Sequence, residues 1–254
     1  GTKEYIEKYF PSVTVIRLEE NRGYSGGFNF GLDYSINQKN ASYVLVTNDD
    51  VKVDKNLINE LVKVAEKDLN IGFVTGKVYF YDIKGKKNIL QTVGKKSDSI
   101  SIVGQDIGGN EEDFGQHDVI AERDFVDDVF TLVRKEVISK TKGYDEIFFL
   151  QYEEADWQLR SKNLGYKIYY TPHAKLWHKL GMSTGGRESP LRHFYSKRND
   201  IIFLKRHGTQ KQLFTFLFQR IFYFLPLWLL RYTIESRSDL ILATFKGTIS
   251  GFLW

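Results

Sequence analysis

The sequence predicts an α/β fold with a mostly parallel sheet, flanking helices and a helical, amphipathic C-terminal extension. Strand-like and helix-like segments alternate along residues 1–178, which is typical of βαβ units. Tyr43–Thr47 is a continuous apolar run of strand length, as expected for a strand buried on both faces. Hydrophobic residues make up 42% of the 254 residues, enough for a packed core in one large domain or two small ones.

Hydrophobic periodicity predicts the first elements. Residues 3–10 have their apolar side chains on one side of a helix, which Pro11 ends. The pattern of residues 13–18 predicts a strand. The glycine-rich segment 21–31 predicts a turn that leads into a helix.

The same patterns predict the later elements. Residues 55–68 have apolar side chains at helical spacing, and a further helix is predicted at 153–164. The remaining predicted strands are 72–81, 125–133, 166–170 and a segment that ends at His178.

Composition and motifs exclude several classes of protein. The chain has no cysteine, so it cannot have disulfides, a Cys-ligated zinc site or a thiol nucleophile. It contains neither a P-loop nor a G-x-G-x-x-G fingerprint, and it lacks the H-x-x-x-H pair of zinc hydrolases. A net charge of +4 is too small to indicate a nucleic-acid partner.

The C-terminal segment differs from the rest of the chain. From residue 205 onward, seven Lys/Arg stand against two Asp/Glu, together with eleven aromatic residues. The apolar run 213–230 is long enough to cross a bilayer, but Arg220 and Pro226 interrupt it. We therefore expect two helices, broken at Pro226, that lie in a membrane interface. The basic residues expected at anionic headgroups are Arg220, Arg231, Arg237 and Lys246. A transmembrane helix, a helical cap and a dimer contact are the alternatives.

A polar triplet follows the apolar strand. Asn48, Asp49 and Asp50 would lie beyond its carboxyl end, where open α/β sheets bind ligands. Carboxylates there can hold a hard divalent cation that also contacts phosphate oxygens. The alternative is an ordinary turn, in which Asn and Asp are favoured.

Glycines recur in the segment 21–31 (NRGYSGGFNFG). They allow a left-handed backbone and the close approach of a ligand, and successive N–H groups can surround an anion. A tight strand-to-helix turn, with glycines needed for packing, explains the same residues equally well.

Three acids, Glu153, Glu154 and Asp156, crowd the first turn of a predicted helix. The helix dipole favours acids there, and Asp156 with Arg160 has the spacing of a surface ion pair. Because apolar residues 148–150 precede them, one of these carboxylates can have a raised pKa and act as a general base.

Taken in order, these segments resemble the inverting family 2 glycosyltransferases of the GT-A fold, especially their rhamnosyl- and galactofuranosyltransferase-like branch. The matching segments are 21–31, 43–50, 143–149, 152–160, 165–167, Pro172, Trp177-His178 and Arg198-Asn199. They indicate a transferase domain at 1–205 and a membrane-associating or oligomerising extension at 206–254. The family's first strand, which holds the nucleotide, has no counterpart here, so we expect the sequence to be a fragment of a longer protein.

The resemblance implies roles for individual residues. Asn48-Asp49-Asp50 resembles the D-x-D metal motif, so Asp50 and His178 would be ligands of Mg²⁺ or Mn²⁺, although a lone histidine is more often structural. The catalytic acids would be Glu154 as the base, with Glu153 and Asp156 as orienting or acceptor-binding groups. The donor-binding residues would be Asn21, Gly23, Gly26, Gly27, Asn29, Asn48, Asp49 and Arg187, the last in a glycine-rich lid at 181–187.

The implied activity is transfer of a sugar, with inversion, from a UDP- or dTDP-linked donor to a hydroxyl of a glycan or lipid-linked acceptor. The protein would act in cell-surface polysaccharide synthesis, peripherally on the cytoplasmic face of the membrane, either alone or as a homo-oligomer, and without nucleic acid. A nucleotidyltransferase shares the early layout and a metal-binding acid, but it has no use for Glu153, Glu154 and Trp177-His178. A non-catalytic glycan-binding or scaffold module with relic motifs is the other alternative.

Overall fold

The computed structural model describes residues 1–179 and 189–254 and has a mixed sheet at its centre. The strands are β1 Tyr43–Thr47, β2 Val51–Val53, β3 Ile71–Phe80, β4 Leu90–Thr92, β5 Lys95–Asp98, β6 Ile102–Asp106, β7 Ala121–Glu122, β8 Phe130–Arg134 and β9 Lys167–His178. The central order is β1-β8-β3-β9-β2, with β4 beside β3, β7 beside β9, and β5-β6 as a separate hairpin.

The α/β class is confirmed, but the sheet is mixed rather than mostly parallel. Within the described part of the chain, β3 and β9 pair in parallel and the other pairs are antiparallel. The reason is that β3 continues into β4, β5 and β6 without an intervening helix. Strand β8 then returns antiparallel to both β3 and β1, so the alternation of strand and helix stops after Phe80.

Helices cover both faces of this sheet. They are α1 Thr2–Tyr9, α2 Gly23–Asp33, α3 Leu57–Ala65, α4 Lys135–Thr141, α5 Glu153–Lys162, α6 Pro190–His207, α7 Gln210–Gln219, α8 Leu225–Ile234 and α9 Ser238–Leu253. On one face, Phe73 of β3 packs with Val137 of α4 and Trp157 of α5. On the other face, the next residue, Val74, packs with Leu61 of α3. This reversal is the two-residue periodicity of a strand that is buried on both sides.

Two sequence predictions fail where strands lack neighbours. Residues 13–18 form no strand among the described residues, and Val13 is 49% exposed. Tyr43–Thr47 is a strand with the predicted bounds, but Val46 is its only buried residue. It pairs with β8 alone among the described strands, so it lies at an edge and is not covered on both faces.

The C-terminal helices attach to α6 rather than form a separate body. Added Cβ atoms on Gly247 and Gly251 of α9 would lie 2.4 and 2.7 Å from the carbonyl oxygens of Phe194 and Arg198. Glycine therefore permits close packing of these two helices. The predicted boundary between the transferase domain and the extension, after residue 205, falls inside α6.

One long helical stretch, Gln210–Ile234, is apolar and long enough to cross a membrane, by length and composition. Its predicted break at Pro226 is wrong, because Pro226 lies in the first turn of α8, directly after a π-helical turn at Arg220–Phe224. Arg220 is also not at the surface, since it is buried and paired with Asp200 at 2.9 Å.

Candidate active site

The antiparallel pairing of β1 and β8 brings two acidic segments together. Thr47 at the carboxyl end of β1 lies opposite Phe130 at the amino end of β8. The backbone N–H of Asn48 continues this ladder by donating to the carbonyl of Val129 at 3.2 Å. Residues 48–50 and the acids Asp127 and Asp128 therefore lie at the same edge of the sheet.

The predicted metal ligands meet at this edge. The pairing of β2 with β9 places Val51 opposite His178, and Nε2 of His178 lies 3.1 Å from Oδ1 of Asp50. The side-chain nitrogen of Asn48 is 3.4 Å from the same ring atom. Nδ1 of His178 contacts Oε1 of Gln91 at 2.9 Å, which fixes the orientation of the ring. Asp49, in contrast, is exposed.

Four acids surround the amino end of α5. Glu153 and Glu154 begin this helix, and Asp127 and Asp128 approach it from the segment before β8. Burial and the charge of Glu154 raise the pKa of Asp128 to about 8. Burial and the charge of Asp127 raise the pKa of Glu154. These shifts link the two segments into one electrostatic cluster.

The two glutamates differ in access. Glu153 is 5% exposed, and its Oε2 atom is buried without a hydrogen-bond partner among the residues that the structure describes. Burial and the charge of Glu154 raise its pKa well above the ordinary value. Glu154 is half-buried and is therefore the more accessible of the two to a substrate hydroxyl.

A strained turn directly precedes these two glutamates and sets the start of α5. Gln151 and Tyr152 both have positive φ, at 73° and 71°, a conformation that costs energy in residues other than glycine. The side-chain amide of Asn199 in α6 holds this turn, donating to the carbonyls of Leu150 and Gln151 at 2.9 Å. The Arg198-Asn199 motif thus supports the amino end of α5.

Asp156 has a different environment from the other acids. It is fully buried, and its carboxylate contacts Arg160 at 2.7 Å, Arg206 at 2.9 Å and His207 at 2.8 Å. Burial opposes ionisation, but the hydrogen bonds from His207 and Arg160 outweigh it and lower the pKa of Asp156 to about 2. An acceptor contact through this carboxylate is not supported, because its oxygens are occupied. Its contacts join α5 to the end of α6.

Most of the predicted donor-binding residues in 21–31 hold the loop that precedes α5. Gly23 has a φ of +71°, and an added Cβ would lie 2.4 Å from the carbonyl oxygen of Phe149. Oδ1 of Asn21 accepts from the N–H of Gly23 at 2.9 Å. The side-chain amide of Asn29 donates to the carbonyl of Tyr144 and accepts from its N–H, both at 2.9 Å. This segment therefore has a packing role whether or not it also contacts a donor.

Gly26 and Gly27 of α2 have different surroundings. An added Cβ on Gly26 would lie 2.4 Å from Cβ of Arg22, in a crowded position. Gly27 faces open space and borders a cavity of about 400 Å³, which Gly23, Tyr24 and Phe28 also line. Arg187 and its predicted lid lie outside the described residues.

Sequence reasoning missed Asp127, Asp128 and Gln91. The available signal was a pair of acids inside the apolar run 125–133, which is unusual for a buried strand. Gln91 gave no signal, since its contact with His178 depends on the pairing of β4, β3 and β9.

Comparison with known families identifies the family of this chain. The model of the family Glycosyl transferase family 2 matches residues 1–139. The chain belongs to glycosyl transferase family 2. A relative, the dTDP-rhamnosyl transferase RfbF of Shigella flexneri, is 26% identical over 220 residues. The alignment covers 77% of this family 2 chain and 64% of RfbF, so the chain spans about two thirds of the relative's length.

Solved transferases share the fold. GalNAc-T7, solved with UDP, GalNAc and Mn²⁺, has a TM-score of 0.57 at 16% identity, covering 74% of this chain and 36% of that one. The mannosyltransferase PcManGT from Pyrobaculum calidifontis, solved with GDP-Man and Mn²⁺, has a TM-score of 0.50 at 11% identity, covering 99% of this chain and 61% of that one. The GT-A-type fold expected for a family 2 chain is thereby confirmed.

Proposed function

We propose that this chain carries the active site of a glycosyltransferase. The site moves a sugar from a nucleoside diphosphate donor, dTDP- or UDP-linked, to a hydroxyl of a glycan or lipid-linked acceptor with inversion. The observation that carries the proposal is the contact of Asp50 with His178 at 3.1 Å, at the sheet edge that also holds Asp128. The family match and the name of the relative RfbF support the same activity.

Asp50 and His178 fit a divalent cation as a partial ligand set. Both side chains offer donor atoms that Mn²⁺ accepts, and Mg²⁺ takes one or two carboxylates together with substrate phosphates. The described residues contain no group of three or more His, Asp or Glu that could hold a metal ion. The diphosphate of the donor would have to complete the coordination. When bound, the cation would supply neutralisation of charge on the departing diphosphate.

Glu154 is the proposed base. It begins a helix beside buried acids, its pKa is raised, and it is more accessible than Glu153. In a single displacement, its carboxylate accepts the proton of the acceptor hydroxyl while the acceptor oxygen attacks the anomeric carbon. The bond from that carbon to the diphosphate oxygen breaks on the opposite face, which inverts the configuration. A positioned base contributes about 10²–10⁴-fold to such a step.

The deciding experiment is a donor screen with the full chain. Where the chain is part of a longer protein, that protein is screened as well. Nucleotide sugars are incubated with Mn²⁺, with Mg²⁺ or with EDTA, and mass spectrometry follows transfer and hydrolysis. We expect one donor class to be consumed, with less turnover in EDTA. A chain that binds glycans without consuming any donor would favour the scaffold alternative. Release of pyrophosphate from a nucleoside triphosphate would favour a nucleotidyltransferase.

Membrane association of the C-terminal helices is part of the proposal. In the most apolar window of Gln210–Ile234, 6% of the residues are buried. Phe214 is 71% exposed and Phe222 is 68% exposed, and contiguous apolar surface of this kind is typical of a membrane or protein interface. We propose that this surface rests on the cytoplasmic face of the cell membrane, beside a lipid-linked acceptor used in cell-surface polysaccharide synthesis. A homo-oligomer that covers the same surface is the competing proposal.

A further inference from the structure

A second cavity lies beside the candidate active site, on the other face of the sheet. It has a volume of about 300 Å³ and is lined by Lys52, Asp54, Lys55, Tyr81, Lys87 and Trp177. In the pairing of β2 with β9, Lys52 lies opposite Trp177, whereas Val51 lies opposite His178. Opposite residues share a face of the sheet and consecutive residues point to different faces. The cavity and His178 therefore lie on opposite faces of the same two strands.

The aromatic wall of this cavity is fixed in position. The indole Nε1 of Trp177 donates to the carbonyl of Lys87 at 2.8 Å. The ring of Trp177 stacks on Tyr79, with centroids 5.6 Å apart and planes 18° from parallel. Tyr81 is 40% exposed at the cavity mouth. A rigid aromatic surface next to polar groups suits a ligand with an apolar face and hydroxyl groups, such as a sugar ring.

The charge lining the cavity is positive. Lys52, Lys55 and Lys87 form no ion pair with any carboxylate in the part of the chain that the structure describes. The single acid, Asp54, uses one carboxylate oxygen to accept from the N–H of Asn56 at 2.8 Å. Three lysines and one acid whose carboxylate is partly engaged thus line the cavity, and this excess of positive charge favours an anionic ligand.

We propose that this cavity binds an anionic saccharide unit, a sugar ring that carries a carboxylate or a phosphate. Its volume is at the lower end of ligand pockets, about 300 to 1,000 Å³, and suits one or two rings. The ring lies on Trp177 and Tyr81, and Lys52 and Lys87 bind the anionic group. Only the assignment of this unit to the acceptor glycan rests on the proposed function, because the binding itself requires no turnover.

The test is calorimetric titration of the full chain without a nucleotide sugar. The probes are trigalacturonic acid, glucose 1-phosphate, the neutral maltotriose and inorganic phosphate. We expect a charged saccharide to bind and maltotriose to bind at least about tenfold more weakly, since two exposed ion pairs are lost. The double variant Lys52→Gln/Lys87→Gln lowers that affinity about tenfold. The matched control Lys67→Gln/Lys96→Gln, which removes two exposed lysines elsewhere, keeps it.

Tyr81→Ala separates a sugar site from a simple anion site. We expect this exposed substitution to weaken both charged saccharides and to leave inorganic phosphate unaffected. The proposal is overturned if neither charged saccharide binds, if maltotriose binds equally well, or if phosphate alone reproduces the affinity and Tyr81→Ala changes nothing. It is also overturned if Lys52→Gln/Lys87→Gln weakens binding to phosphatidylglycerol vesicles but leaves saccharide binding unchanged. Absence of donor turnover, in contrast, would count against the proposed function alone.

Discussion

At the scale of single residues, access distinguishes the acids of the site. Asp128 and Glu153 are buried with raised pKa values, Asp156 is fully paired, and Glu154 is half-buried. A base must reach the acceptor hydroxyl and must lose its proton at the working pH. Glu154 is better placed than the other acids to reach the acceptor hydroxyl. Its raised pKa sets the pH above which it has lost its proton and can act as a base.

The first prediction concerns Glu154→Gln, which removes the base without removing volume. We expect turnover to fall about 10²–10⁴-fold, the usual contribution of a general base, while donor affinity stays within about threefold. Steady-state kinetics and equilibrium donor binding measure the two effects. Glu153→Gln is the matched comparison, and its effect on turnover is expected to be smaller because that carboxyl is buried with a strongly raised pKa. Equal losses in both variants would contradict the assignment.

The second prediction concerns the pH dependence of transfer. Glu154 works as a carboxylate, so activity rises with pH as it loses its proton, and its raised pKa moves this rise above the ordinary glutamate range of about 4.3. Asp127 contributes to that raised pKa, and Asp127 also pairs with Lys95 at 3.0 Å. Asp127→Asn removes the negative charge and leaves Lys95 less neutralised. Both effects shift the acidic limb of kcat against pH to lower pH.

The control for this shift is Glu122→Gln, an exposed acid on β7 outside the cluster. Its profile is expected to match that of the unchanged protein. An unmoved acidic limb in Asp127→Asn would mean that a group other than Glu154 limits the reaction at low pH.

Residue types suggest several of these roles, and strand pairing brings the residues together. Asn48-Asp50 and Glu153-Glu154 could be selected from the sequence, because acids after a strand or at a helix start are unusual enough to notice, whereas the role expected of His178 comes from the family resemblance. Asp128 could not be linked to Glu154 in this way, since their proximity depends on strand β8 running antiparallel to β1. Asp156 is expected to share the orienting or acceptor-binding role of Glu153, because the sequence does not reveal that Arg206 and His207 of α6 contact its carboxylate.

At the scale of elements, local pattern predicted helices better than strands. The bounds of α1, α3 and α5 lie close to the predicted ones, because their apolar spacing and their ends are local properties. A strand needs a neighbour, and no local signal shows whether residues 13–18 have one. The same limit explains why β1 was expected to be buried on both faces and lies at an edge.

The third prediction concerns the junction of α5 and α6. Asp156→Asn removes the buried negative charge that Arg160, Arg206 and His207 contact, so we expect the free energy of unfolding to fall by about 2–3 kcal/mol at neutral pH. Urea denaturation measures this change. The control Asp145→Asn removes the other, half-exposed partner of Arg206 and is expected to cost about 1 kcal/mol or less.

The pH dependence of this difference has a defined sign. The pKa of Asp156 is lowered to about 2 in the folded protein, against about 3.9 in an unfolded chain. Its stabilisation is therefore complete above about pH 5 and is lost progressively as the pH falls through 4 towards 2 and below. The gap between the unchanged protein and Asp156→Asn is expected to narrow over that range. A gap independent of pH would mean that packing rather than charge is responsible.

At the scale of the whole molecule, the site depends on contacts between distant parts of the chain. Strand β9 brings His178 to Asp50 through its pairing with β2, and α6 holds the turn before Glu153 through Asn199. None of these contacts can be predicted from the periodicity of the local sequence. The family resemblance supplied the order of motifs, and the tertiary structure supplies their distances.

The last prediction concerns the exposed helical surface of α7 and the following π-helical turn. The triple variant Phe214→Ser/Phe218→Ser/Phe222→Ser removes three rings that are 71%, 54% and 68% exposed. If they enter the acyl region, each contributes about 1 kcal/mol or more, so partition onto liposomes is expected to fall about a hundredfold. Flotation with phosphatidylglycerol liposomes measures the bound fraction. Substitution is preferable to deletion of 209–254, because α9 packs on α6 and its removal would uncover that face.

The control for this experiment is Leu69→Ser/Phe114→Ser, which removes apolar side chains that are 76% and 82% exposed elsewhere on the molecule. Its binding is expected to be unchanged. Salt should have a small effect, because Arg220 is buried, and Arg231 and Arg237 pair with Glu235 at 2.7 Å and Asp239 at 2.8 Å, which leaves Lys246 as the exposed one of the four basic residues expected at headgroups. The apolar surface, rather than basic residues at headgroups, would then supply the affinity. If the triple variant floats as well as its parent, these three rings do not hold the protein on the membrane and the proposal is wrong. If neither protein binds liposomes and the variant dissociates a dimer, the surface is an oligomer contact instead.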